Sequence, residues 1–134
     1  MVFNIDAFKE AALQVAAFLD AEVDSVSGKC IVKRPRRFKV LDHGEVRNCK
    51  GDFEVSFSAY RQDGVSLNQA AICLMPEEYD LFIRTIMGHA LPLPIHYTQR
   101  LTTDFNIYCL NFESFEPPGH FAERLAAALK AIDH

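Results

Sequence analysis

The sequence predicts an α+β domain: one antiparallel or mixed sheet of about five to six strands with helices packed on one face, in the order α-β-β-β-β-α-β-β-α. Three observations carry this. Apolar residues recur at helical spacing near both ends and once in the middle. Between those segments apolar and polar residues alternate at strand period. The strand-like runs follow one another across short turns, which favours antiparallel neighbours. With 134 residues, residues 1–134 have the size of a single domain, and no repeat, linker or low-complexity segment divides them.

Residues 5–20 place Ile5, Phe8, Ala12, Val15 and Leu19 on one narrow stripe, suited to lying on a sheet, with Asn4 or Asp6 as cap. Ser27 and Gly28 turn the chain. Residues 30–34 and 37–41 read as short strands split by Pro35, which cannot donate to a ladder and marks an edge or a bend. Asp42, His43 and Gly44 form a hairpin signal, and Asn48 through Gly51 a second polar break. In 53–60 Phe53, Val55, Phe57 and Ala59 point one way, while Glu54, Ser56, Ser58 and Tyr60 point the other, as in a half-buried strand. Residues 69–75 form a shorter apolar strand. Pro76, Glu77 and Glu78 then open a helix, with Pro at a position that needs no N–H and two acids at the positive end of the dipole. Its stripe is Tyr79, Phe82, Ile83, Ile86 and Met87. It ends near Gly88, before Pro92 and Pro94. Strands at 95–101 and 105–112 follow, and a last helix spans 119–132.

Composition limits the function classes. A formal charge of −4 argues against a surface that is basic throughout. Eleven Phe and no Trp point to rings used as core rather than as polar anchors. The N-terminal stretch lacks a basic n-region and carries Asp6, Glu10 and Asp20, so it does not read as a signal peptide. No apolar run reaches the ~18 residues of a membrane span. The expected setting is soluble and cytoplasmic. Cys30, Cys49, Cys73 and Cys109 contain no C-x-x-C pair. Cys73 and Cys109 lie in apolar runs and read as small core residues. A Cys30–Cys49 disulfide would need an oxidising compartment.

The richest stretch is LPLPIHYTQRLTTDFNIYCLNF, from Leu91. In 95–101, Ile95, Tyr97 and Leu101 share one face, and His96, Thr98 and Arg100 share the other. In 105–112, Phe105, Ile107 and Cys109 oppose Tyr108, Leu110 and Phe112; both faces are apolar, so this strand should be interior. The polar row suits the uncovered side of a sheet. If Tyr108 falls on the same side as His96, Thr98 and Arg100, that side mixes a ring with an imidazole and a guanidinium, a set suited to an anionic small molecule or a protein partner. These four are the candidate binding residues.

Other chemistry is weaker. His43, His89, His96, His120 and His134 include no H-x-x-x-H pair. A metal- or His-dependent enzyme, hydrolase-like, would have to assemble His89, His96 and Asp104 through folding. KCIVKRPRRFK carries Lys29, Lys33, Arg34, Arg36, Arg37 and Lys39. A nucleic-acid reading of segment 29–39 places these on phosphates with Phe38 stacking a base. No RNP or helix-turn-helix pattern follows, and a charged edge strand is the simpler use. No Walker loop, G-x-S-x-G or G-x-G-x-x-G is present. Glu77 and Glu78 read as a helix start, and Glu113 and Glu116 as a loop edge. No cofactor is expected.

The segments IVKRPRRFKV, AAICLMPEEYDLFIRTI, LPIHYTQRL, FNIYCLNFES and FAERLAAALKAI follow one another between about Ala17 and Ile132, and in this order they resemble the bacterial LppY/LpqO family, a domain of unknown function. The resemblance implies a similar architecture. Where that family has more than one histidine in the strand after the helix, this chain has only His96, and Asn111 stands where a further one would fall. The expected function is a non-catalytic binding module on an open sheet face, forming a homodimer, with no membrane partner.

Overall fold

The computed structural model describes residues 5–26, 28–42, 44–104 and 107–132, and the backbone alone at 22, 25, 26, 37–42, 46–52 and 104. Asn4, His43, Phe105 and His134, and the side chains of Phe38, Cys49 and Asp104, lie outside the described residues. The elements are α1 (Ile5–Leu19), β1 (Glu22–Val26), β2 (Lys29–Asp42), β3 (Glu45–Ser58), β4 (Ser66–Leu74), α2 (Pro76–Met87), β5 (Thr98–Asp104), β6 (Ile107–Glu116) and α3 (Pro118–Ile132). Their order is the one expected. The six strands form one sheet, β1-β2-β3-β4-β6-β5, with every neighbouring pair antiparallel.

The strand bounds differ from the sequence reading, and the differences have causes. β1 has few apolar residues (Glu22–Val26) and shows no periodicity. It forms as the outer arm of a hairpin whose turn is made possible by Gly28 at φ +79°. Pro35 does not split its segment. β1 stops opposite Lys33, so beyond that point β2 is an edge, where a missing N–H costs no ladder bond. Asn48 through Gly51 do not break β3 either: they pair with residues 36–39 of β2. The long β2–β3 hairpin reverses at Gly44, φ +80°. β4 and β5 run parallel to one another with β6 between them, and α2 makes the crossover.

All three helices cover one face, and α3 packs against both α1 and α2. The core lies between the layers. From α1 it takes Phe8, Val15 and Leu19; from the strands Val32, Phe53, Val55, Phe57, Ile72, Leu110 and Phe112; from α2 and α3 Phe82, Ile86, Phe121, Leu125 and Ile132. Of the eight phenylalanines whose side chains are described, six are in this core, as their lack of a polar handle predicts. Ile5, expected on the α1 stripe, is mostly exposed.

Among the described residues two charged pairs join the layers. Arg36 of β2 binds Glu78 of α2 and also donates to the Cys73 carbonyl at 2.8 Å. β3 pairs with β4 only as far as Ala71, so this carbonyl has no strand partner on that side. Glu78 also accepts the Met75 N–H at 2.9 Å, closing the first turn of α2. It is thus a helix start, as expected, and a buried anchor as well. The second pair is Arg124 of α3 with Glu116 at the end of β6. Glu116 is no loop edge: it lies in a strand and is buried. Among the described residues no helix is long and apolar enough to cross a membrane.

Candidate functional site

The face away from the helices is uncovered, and the strand register defines what stands on it. One cross-strand row reads Ser56, Gln69, Glu113 and Thr98; the next reads Glu54, Ala71, Asn111 and Arg100; the next Cys73, Cys109 and Thr102. Short side chains occupy the middle of the second row and the β3 end of the first, while longer ones flank them. The result is a trough of about 590 Å³ whose lining includes Lys29, Glu54, Gln69, Arg100, Asn111 and Glu113. That volume is in the range of small-molecule sites.

The lining offers both signs of charge and several amides and hydroxyls. Gln69 donates to Glu113 across the strands at 3.2 Å, which orients both groups. Arg100 is exposed, stands directly opposite Asn111, and has no ion-pair partner among the described residues. Its guanidinium presents a planar fork of donors, the geometry that matches carboxylate or phosphate oxygens.

Of the four expected binding residues, the structure brings three to this face. Thr98 and Arg100 line the trough. His96 precedes β5 and stacks edge-on against Phe115 at 6.4 Å between ring centroids, beside the trough rather than in it. Tyr108 is a correction. It pairs with Thr103 and Leu74, on the face that the helices cover, and its ring packs on Tyr79 of α2 at 5.4 Å. Leu110 and Phe112 are buried on that same side. The strand from 107 is interior as expected, but its rings lie beneath the helices. Ile95 is a second correction: it shares no packed face with Tyr97, being 97% exposed. Tyr97 does turn inward, to Phe112 at 6.2 Å, and burial raises its phenol above the ordinary value.

The alternative metal set does not assemble. His89 lines a hollow on the helix side with Phe18, Asp20, Arg34 and Glu123, and its Nδ1 accepts the Leu91 N–H at 3.0 Å. His96 lies on the opposite side of the sheet, against Phe115. Among the described residues no cluster of three or more His, Cys, Asp or Glu is placed to hold a metal ion. The basic segment is divided too. Arg34 and Arg36 point to the helix side, where Arg34 donates to the Leu19 carbonyl at 3.5 Å and Arg36 binds Glu78, while Lys29 and Lys33 stay exposed. The alternation of 53–60 already places Glu54 and Ser56 together on a polar face. Gln69, Asn111 and Glu113 carry no such signal, because their contribution depends on neighbouring strands.

Cys73 and Cys109 are not core residues. They are half-buried on the uncovered face, with Sγ atoms 3.2 Å apart. Burial, with the neighbouring Cys109 thiol, pushes the Cys73 thiol up to about 11. Cys30 is a free thiol buried beneath the helices. No family model, curated protein or solved structure matches the chain.

Proposed function

We propose that this protein is a non-catalytic binding module whose open sheet face holds a small polar ligand bearing a carboxylate or phosphate. The observation that carries the reading is the trough itself, with Arg100 exposed at its edge and free of an ion pair among the described residues. Arg100 and Lys29 attract the anionic group. Glu54 and Glu113 favour a ligand that also carries hydroxyl or amine donors, and Asn111, Gln69 and Thr98 supply further hydrogen bonds. A charge-assisted bond from Arg100 is stronger than a neutral one, so the guanidinium is the strongest single contact the trough offers an anion.

The test is an amide-shift titration at low salt with citrate and with inorganic phosphate as probes. Shifts are expected at Gln69, Ala71, Arg100 and Asn111. Arg100→Ala is expected to weaken the tighter probe by about tenfold or more, the worth of one charge-assisted bond, and to leave the melting temperature nearly unchanged. Unfolding of this variant, or shifts confined to the helix side, would remove the reading.

A homodimer belongs to the same proposal. β5 is an edge strand, and every described side chain from Thr98 to Thr103 is exposed, so its outer backbone is open to a second copy. Sedimentation equilibrium is expected to give the mass of two chains. A single-chain mass across the accessible concentration range would reject the dimer without affecting the trough.

A further inference from the structure

We propose that Cys73 and Cys109 are a thiol–disulfide exchange site, closing to an intramolecular disulfide when they meet a low-molecular-weight disulfide. The two residues are direct partners in the antiparallel β4–β6 ladder. Their backbone groups show which kind of partner position this is. The Cys73 carbonyl points away from β6, toward the β3 side, where it accepts from Arg36 at 2.8 Å. The Cys109 carbonyl points away from β4, toward β5, where it accepts from Thr102 Oγ1 at 3.4 Å. Neither residue bonds its partner through the backbone, so the pair occupies a non-hydrogen-bonded position. There the Cα atoms are about 4.5 Å apart and the side chains closest, which falls within the roughly 4.4–6.8 Å that a disulfide spans.

The thiols already meet, at 3.2 Å. Closing them to a bond takes about 1 Å of approach, within reach of side-chain rotation. Both lie on the side no helix covers, so a small disulfide reaches them from solvent. Cys30, under the helices, is closed to the same reagent.

The exchange balances. The thiolate of one cysteine attacks a sulfur of the small disulfide, whose S–S bond breaks, and one small thiolate leaves and takes up a proton. The second cysteine, as thiolate, then attacks the protein sulfur of the mixed disulfide and expels the second small thiolate, which is protonated in turn. The two protein thiols lose two electrons and two protons, and the small disulfide gains them. The product ties β4 to β6 at one end of the trough, in the row beside Ala71 and Asn111.

The experiment takes the reduced full chain and incubates it with oxidised glutathione at mildly alkaline pH until the free-thiol count is constant. The raised Cys73 thiol makes exchange slow at neutral pH. Digestion without reduction and mass spectrometry then identify the linked peptides. The Cys73–Cys109 pair is expected to exceed any other linked pair by at least about tenfold, to be reversed by dithiothreitol, and to lose its excess in concentrated guanidinium. In Cys109→Ser, Cys73 is expected to retain one glutathione as a trapped mixed disulfide. Wild-type protein in which both residues remain thiols at constancy, or in which Cys73 links elsewhere, overturns the proposal whether or not the variant folds.

Discussion

Arg124→Ala is expected to destabilise the protein by about 3–5 kcal/mol, the cost of breaking a buried ion pair from one side. Arg124 is only 2% exposed. Its guanidinium binds Glu116 and donates through Nε to the Leu91 carbonyl at 3.2 Å, and burial lowers its pKa from the ordinary value. Around it every group is tied. Ser114 Oγ donates to Glu116 Oε2 at 2.7 Å, Asn68 Nδ2 to the Glu116 carbonyl at 2.9 Å, and Ser66 Oγ to Asn68 Oδ1 at 2.7 Å. Removing the guanidinium leaves a carboxylate in a closed interior with only a hydroxyl to hold it. Urea denaturation is the measurement, with the midpoint expected to fall by roughly 2 M at ordinary m-values. An apolar double variant, Arg124→Met with Glu116→Leu, is expected to recover much of the loss, because the uncompensated charge is then gone. A loss under about 1 kcal/mol in Arg124→Ala would mean that the pair is hydrated and the network does not hold α3 to the sheet.

Phe57→Ala is expected to cost about 3–5 kcal/mol, the usual range for deleting a buried ring. Phe57 is 1% exposed and packs on Phe8 of α1 at 5.3 Å and on Tyr60 at 6.2 Å. Phe8 also meets Tyr60, at 6.1 Å. These three rings hold α1 to β3, so the damage should be uneven. Hydrogen exchange is expected to accelerate most in α1 and least in α3, which has its own anchors in Arg124, Phe121 and Leu125. Phe57→Leu, which keeps most of the volume, should lose much less. Uniform acceleration through both helices would show that α1 does not depend on this cluster.

The helices were legible in the residues because their signals are local. The stripe from Phe8 to Leu19, the Pro76 start and the Gly88 stop each lie within one element, and the observed bounds of α1 and α2 follow them closely. Strand bounds were less legible where pairing overrode local preference. Pro35 and the run from Asn48 to Gly51 carry turn chemistry, yet the β2–β3 ladder runs through both, because backbone pairing along the whole hairpin outweighs a few unfavourable residues.

What the sequence determined alone is the alternation within each strand: that Thr98 and Arg100 share a face, and that Glu54 and Ser56 share one. What only the tertiary structure decided is how those faces are phased against each other. A strand's period of two states which residues go together but not which side they take relative to the next strand, since a shift of one residue inverts the answer. Alternation leaves open whether Tyr108 shares a face with His96, Thr98 and Arg100, and register puts it on the helix side, while the same register brings Gln69 and Asn111 into the trough and Cys73 and Cys109 into the row beside it. The burial of Arg124 and the half-burial of Arg36 are likewise invisible in the sequence, because a charge goes inside only where a distant chain segment supplies its partner.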